Sequence, residues 1–153
     1  QVLGVPGIEL AEKIVPALMC LGIKHALVVH GLNGMDELST TGESVYWEIK
    51  TGKLHKDKQR IVPEDFGLKS VPGNAVRGGT PEENARTAVK VLKGEVGPFR
   101  DVVILNAAAA LLAGDRVETL QQGVTLAAEI LDSGRALEKL KQLVELTQSF
   151  KRN

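Results

Sequence analysis

Ala26-Leu27-Val28-Val29 contains no polar residue, and this short unbroken run constrains the fold more than any other feature of the chain. A strand with one wet face alternates apolar and polar side chains, so a continuous run reads as a strand covered on both faces. Upstream, Val2 to Val5 reads as a second short strand, broken by Pro6-Gly7. Between the two, Ile8, Leu10, Ala11, Ile14, Val15, Ala17, Leu18 and Leu21 recur at helical spacing. Gly22 stands where a helix-closing glycine belongs, and Pro16 weakens or kinks the helix. Strand, helix, strand in that order predicts a parallel pair and an α/β fold.

Gly31 to Glu37 reads as a loop by its glycines and Asn33. Ser44 to Lys50 alternates and pairs with Leu54 to Val62 across a Thr51-Gly52 turn. One face of that hairpin is polar, which predicts that one side sees water. Pro63 to Gly79 is irregular, with at most a short helical piece near Phe66. The remainder reads as four helices. Thr80-Pro81-Glu82-Glu83 is a capping box with Pro at the first helical position, opening a helix to about Lys93. Pro98 opens the next. Its Val102 to Leu105 stretch suits a strand, but Asn106 and four alanines favour helix to Leu112. Thr119 to Gln122 is a second box, for a helix through Leu131. After Gly134 comes an amphipathic helix with Leu137, Leu140, Val144 and Thr147 on one side.

The chain of 153 residues is long enough for one compact domain without a metal or disulfide staple, and residues 1–153 are read as one α/β domain. It opens on an apolar strand with no Met and no polar lead-in, which reads as a cut inside a larger protein. Lys plus Arg and Asp plus Glu number 19 each, so no overall field favours nucleic acid or an anionic membrane. No apolar run reaches the length of a membrane span. The lone Cys20 lies in the apolar helical pattern and reads as a buried structural thiol, in a reducing cytoplasm.

Ligands of open α/β sheets bind at the carboxyl ends of strands. The 25–29 strand delivers the chain directly to Asp36 and Glu37. Two neighbouring carboxylates there suit Mg²⁺, which prefers a few carboxylates plus water and substrate phosphates. Chance alone gives roughly two adjacent acidic pairs at this composition, and Glu64-Asp65 and Glu82-Glu83 are others. Those two lie beside prolines and read as solvated or first-turn helical acids. Taken alone, Asp36-Glu37 is a weak motif. Arg77-Gly78-Gly79-Thr80 runs into a helix amino terminus, which can hold an anion, though a capped helix after a flexible loop is the plainer reading. His30 suits a proton carrier or a structural hydrogen bond. Nothing around His25 or His55 suggests catalysis. The Leu105 to Leu112 alanine run suits close helix packing, and no Cys/His metal spacing or nucleophile–base signature occurs.

Several segments, taken in order, resemble the second half of anthranilate phosphoribosyltransferases. They are Gln1 to Val5, Ala26 to Gly31, Gly34 to Ser39, Pro63 to Gly67, Gly78-Gly79 with Glu83 to Ala85, Leu105 to Leu111, Asp132 to Gly134 and Ala136 to Leu140. The resemblance covers nearly the whole chain. It implies the carboxyl-terminal part of a nucleoside phosphorylase/phosphoribosyltransferase-like α/β domain, short strands followed by several helices. The family moves the phosphoribosyl group of phosphoribosyl pyrophosphate to the amine of anthranilate, with release of pyrophosphate, in tryptophan biosynthesis. Its magnesium-binding acidic pair maps onto Asp36 and Glu37. The family's glycine-rich pyrophosphate loop and its amino-terminal helical domain, which supplies the homodimer contact, have no counterpart in these residues. The resemblance therefore implies that the isolated chain lacks transferase activity. Other readings are a pyrimidine nucleoside phosphorylase relative, a non-catalytic nucleic-acid-binding relative, and a standalone scaffold or partner subunit. Neutral charge and few aromatics argue against nucleic acid.

Overall fold

The computed structural model describes residues 1–150. Its elements run β1 (Val2–Gly4), α1 (Ile8–Cys20), β2 (His25–Gly31), β3 (Ser44–Lys50), β4 (Lys53–Ile61), α2 (Pro81–Leu92), α3 (Pro98–Ala113), α4 (Leu120–Asp132) and α5 (Arg135–Ser149). Two short 3-10 turns, Pro63–Phe66 and Gly73–Val76, lie between β4 and α2. The sheet order is β1-β2-β3-β4. β1 and β2 are parallel, with Leu3 opposite Val28, and the other pairs are antiparallel.

β2 is buried along its whole length, as its apolar run requires. Alternation splits its side chains between two cores. Ala26 and Val28 join Val45, Trp47, Ile49 and the α1 residues Ala11, Val15 and Leu18. Leu27 and Val29 join Tyr46 and the inner faces of α3 and α4. The molecule is thus layered helix–sheet–helix. Truncating a fully buried leucine such as Leu27, Leu105 or Leu112 to alanine costs about 2–5 kcal/mol. α3 and α4 meet closely because Gly123 carries no side chain: a Cβ there would lie 2.8 Å from the Cβ of Ala108. This is the packing that the alanine run suits.

Three expectations need correction. The polar face of β3 does not see water. Ser44, Tyr46 and Glu48 are buried on the α3 side of the sheet, and the exposed strand is β4 at the edge. That edge carries Lys53, Lys56, Lys58 and Arg60, and the nine residues of β4 oppose seven of β3 through irregular register. Charge and bulging both discourage pairing with a further strand. Cys20 is exposed, since the buried stripe of α1 is only Ala11, Val15 and Leu18. Leu21 is 75% exposed for the same reason. α5 buries no residue completely; Leu137 and Leu140 are half-covered, while Val144 and Thr147 face out.

Helix starts follow the sequence more closely. Thr80 Oγ1 accepts from Glu83 N at 3.3 Å, and Thr80 N donates to Glu83 Oε2 at 2.8 Å, completing the box. The Thr80 backbone bond holds the Glu83 carboxyl below its ordinary pKa. Its contribution is therefore present above the usual glutamate range and is lost as pH falls through the lowered value. At α4 the box is half-made. Thr119 accepts from Gln122 N, but the Gln122 amide oxygen takes Glu118 N instead of the cap.

Candidate metal site at the carboxyl end of the sheet

β1 and β2 are parallel neighbours, so both end on the same side of the molecule, at Gly4 and Gly31. The chain turns sharply after β2. Gly31 N donates to Met35 O at 2.8 Å and Gly34 N to Gly31 O at 2.9 Å, with Gly34 in the left-handed region at φ 95°. The returning segment lies directly across the strand ends. A Cβ on Gly4 would sit 1.5 Å from the carbonyl oxygen of Asp36. One on Gly31 would sit 3.1 Å from that of Glu37. Two glycines at the strand ends thus make room for the backbone that carries the acidic pair.

Leu38 then anchors the loop. It is fully buried, and Asn106 of α3 grips its main chain from both sides. Leu38 N donates to Asn106 Oδ1 at 2.9 Å, and Asn106 Nδ2 donates to Leu38 O at 2.8 Å and to Val102 O at 3.0 Å. Beyond it, Ser39 N donates to Ser44 Oγ, and Asn33 Nδ2 donates to Ser39 Oγ at 3.0 Å and to Thr41 Oγ1. Thr40 Oγ1 is buried without a partner among the described residues. Replacing Asn106 with alanine leaves two buried backbone groups unpaired, at about 1–3 kcal/mol each. We expect Asn106→Ala to lower the urea midpoint and to speed amide exchange at Leu38. Unchanged exchange there would show that Asn106 does not hold the loop.

On this fixed backbone the side chains of Asp36 and Glu37 are exposed. Neither carboxylate has an ion-pair partner within 4 Å among the described residues. Desolvation by surrounding protein raises the Glu37 pKa, and the Asp36 charge raises it further. Both effects disfavour the ionised form of Glu37, and a cation placed beside it would act in the opposite direction. The carbonyls of Asp36 and Glu37 turn inward to the glycines, which leaves side-chain oxygens as the donors. Among the described residues no three His, Cys, Asp or Glu gather as a metal cage. The pair therefore fits a hard cation that brings most of its ligands as water or phosphate oxygen, which is how Mg²⁺ is commonly held.

The other sequence candidates separate from this pair. His30 is in β2, and its Nδ1 donates to the Val5 carbonyl at 2.9 Å, a structural bond. The Gly79 and Thr80 N–H groups are taken by Asn84 and Glu83 of α2 itself, which agrees with the capped-helix reading. His55 is exposed on β4. His25 has a setting that the sequence did not reveal. At the opposite end of the sheet its ring bridges Glu48 Oε1 at 3.0 Å and Asp115 Oδ1 at 2.8 Å. Gly4 and Asn106 were also missed as site-building residues. The sequence signals were a glycine at a strand end and an asparagine at the head of the alanine run of α3.

Residues 1–137 match the model of the glycosyl transferase family, a/b domain. The chain is 52% identical over 150 residues to the anthranilate phosphoribosyltransferase of Dehalococcoides mccartyi, covering 98% of this chain and 44% of that protein. With the enzyme of Symbiobacterium thermophilum the identity is 51% over 151 residues, again covering 44% of the relative. Among solved structures, the anthranilate phosphoribosyltransferase of Thermus thermophilus superposes with a TM-score of 0.84 at 41% identity, over 93% of this chain and 41% of that one. The Saccharomyces cerevisiae enzyme in complex with PRPP and Mg gives a TM-score of 0.85 at 26% identity, over 97% and 42%. The chain spans less than half the length of these relatives. Over residues 1–137 it belongs to the glycosyl transferase family, as its a/b domain.

Proposed function

We propose that this chain is the carboxyl-terminal portion of an anthranilate phosphoribosyltransferase and that Asp36 and Glu37 are its Mg²⁺-binding residues. The whole enzyme transfers phosphoribosyl from PRPP to anthranilate, releasing pyrophosphate, in tryptophan biosynthesis. The observation that carries the reading is a rigidly mounted, exposed acidic pair with no ion-pair partner among the described residues, at the carboxyl end of two parallel strands. Similarity to anthranilate phosphoribosyltransferases over nearly the whole chain supports it, as does the related yeast structure with PRPP and Mg.

A bound Mg²⁺ supplies positive charge against the diphosphate, where negative charge grows as the sugar–oxygen bond breaks. This chain's own part is positional. Gly4, Gly31 and Asn106 fix the backbone of the loop, so the two carboxylates meet the cation in one arrangement and need little reordering. Anthranilate's amine is a neutral nucleophile near pH 7, so the step does not obviously require a strong dedicated base from these residues. Residues 1–153 alone are expected not to catalyse transfer. The parent reads as a cytoplasmic homodimer; the unpaired, exposed Cys20 fits a reducing compartment, and no helix among the described residues is long and apolar enough to cross a membrane. No particular feature favours the phosphorylase or nucleic-acid readings.

Calorimetry of Mg²⁺–pyrophosphate binding tests the assignment. Asp36→Asn is expected to weaken binding about tenfold or more, the loss that goes with one charge-assisted contact. Equal affinity in the two proteins would remove the metal role.

A further inference from the structure

The segment from Gly31 to Thr41 is tied across its two limbs by one exposed side chain, Asn33. Its amide nitrogen donates to Ser39 Oγ at 3.0 Å and to Thr41 Oγ1, so both of its hydrogens cross the loop. Its amide oxygen accepts from Met35 N at 3.4 Å. Two donors on one side and an acceptor on the other are what a primary amide supplies. A Cβ on Gly31 would lie 2.9 Å from Asn33 Oδ1, so the strand-end glycine makes room for this amide as well. The accounting at the buried Ser39 is complete. Its oxygen accepts from Asn33 Nδ2 and from Thr41 N at 2.9 Å, and its hydroxyl hydrogen is left for Met35 Sδ at 3.4 Å or Thr41 Oγ1 at 3.0 Å. Met35 is thus held at its nitrogen by Asn33 and at its carbonyl by Gly31 N. Asp36 and Glu37 are the two residues between Met35 and Leu38, and Asn106 already holds Leu38.

We propose that Asn33 is a positioning residue for cation binding: by joining the limb that precedes Asp36 to the limb that follows Glu37, it sets how the two carboxylates stand relative to each other. The inference rests on the metal role proposed above for that pair. Both acidic side chains are exposed and have no ion-pair partner among the described residues, so their placement comes from the backbone beneath them. A loop ordered in advance spares the binding step the entropy of ordering it. Asn106 and the glycines fix the inner side of this loop, and Asn33 is the side chain that closes its outer side. Its removal leaves no buried hydroxyl orphaned. Ser39 Oγ keeps Thr41 N and a choice of two acceptors, and Thr41 Oγ1 keeps Ser39. Loss of Asn33 is therefore expected to act on cation affinity and not on global stability, the reverse of the expectation for Asn106.

The test is a double-mutant cycle on the 153-residue chain, read by calorimetry of Mg²⁺–pyrophosphate binding beside urea unfolding. Asn33→Ala is expected to weaken binding about fivefold, the scale of ordering one loop side chain, with the urea midpoint unchanged. Thr41→Val, which keeps the shape of the side chain and deletes one acceptor of the amide, should weaken binding about twofold, as expected for part of that tie. Asn33→Ala should cost less in an Asp36→Asn background than in wild type, because the carboxylate that it positions is no longer charged. Backbone order parameters of the free protein should fall at Met35 to Glu37 in Asn33→Ala and stay level at Leu38. Wild-type affinity in Asn33→Ala, with Asp36→Asn weakened, would overturn this inference and leave the metal role standing. Equal affinity in wild type and Asp36→Asn would remove both. A lower urea midpoint in Asn33→Ala, or the same fold-loss with and without Asp36→Asn, would show a merely structural residue and also overturn the inference.

Discussion

Gly4→Ala is expected to dislodge the acidic loop and to cost about 1–3 kcal/mol or more. The added methyl would lie 1.5 Å from the carbonyl oxygen of Asp36 and 2.6 Å from its carbonyl carbon. Both are main-chain atoms, so no rotamer change relieves the clash. Either β1 moves away from β2, with which it shares only a three-residue ladder, or the segment around Asp36 rises from the strand ends. The second course strains the Gly31–Met35 bond and the grip of Asn106 on Leu38. Gly4 is not among the glycines with positive φ, so its requirement is purely one of space. A lowered urea midpoint and large amide shifts from Gly31 to Leu38 should appear together. Gly4→Ala with an unaltered midpoint and loop spectrum would show that the loop does not rest on β1.

At the other end of the sheet, His25→Ala should cost about 1–3 kcal/mol or more, because it removes the hydrogen-bond partner of a buried carboxylate oxygen. Glu48 has a side chain only 3% exposed, and His25 occupies one of its oxygens. Its other neighbour is Lys56 on the edge strand, 3.4 Å away. Burial works against the Lys56 ammonium, but the charges and hydrogen bonds of Tyr46 and Glu48 outweigh it and raise its pKa. Without His25, a carboxylate stays in the interior with only one partly exposed cation. The ring also ties β2 to Asp115 in the α3–α4 connection, a non-glycine residue at φ 53°. His25→Gln, able to restore one donor, should recover part of the loss. A cost below about 1 kcal/mol for His25→Ala, as for an exposed pair, would show that the bridge is not a buried one.

Much of this architecture was readable in advance because it is local. The parallel β1–α1–β2 unit follows from two apolar runs around one helical period. The β3–β4 hairpin follows from alternation around Thr51-Gly52. The start of α2 follows from Thr80-Pro81 and Glu83, whose hydrogen bonds span three residues. What was not readable depends on partners far apart in the chain. Whether the polar face of β3 meets water or helices is decided by α3 and α4 arriving from beyond residue 97, and the buried Glu48 takes its neighbours, His25 and Lys56, from two other strands. Cys20 belongs to an apolar helical pattern broader than the face that α1 buries. The loop carrying Asp36 and Glu37 could be placed after β2, but its support could not. Gly4 lies 32 residues before Asp36 and Asn106 lies 68 after Leu38, and no spacing rule in a single sequence links them.

The role proposed for Asp36 and Glu37 is to hold a divalent cation at the strand ends. The most direct measurement replaces Mg²⁺ with paramagnetic Mn²⁺, added with pyrophosphate to the amide-labelled chain. Broadening is expected first at Met35 to Leu38 and at Gly4, and is expected to fade in Asp36→Asn. Broadening centred on Glu64-Asp65 or Glu82-Glu83, or a pattern at Met35 to Leu38 that survives Asp36→Asn unchanged, would contradict the account.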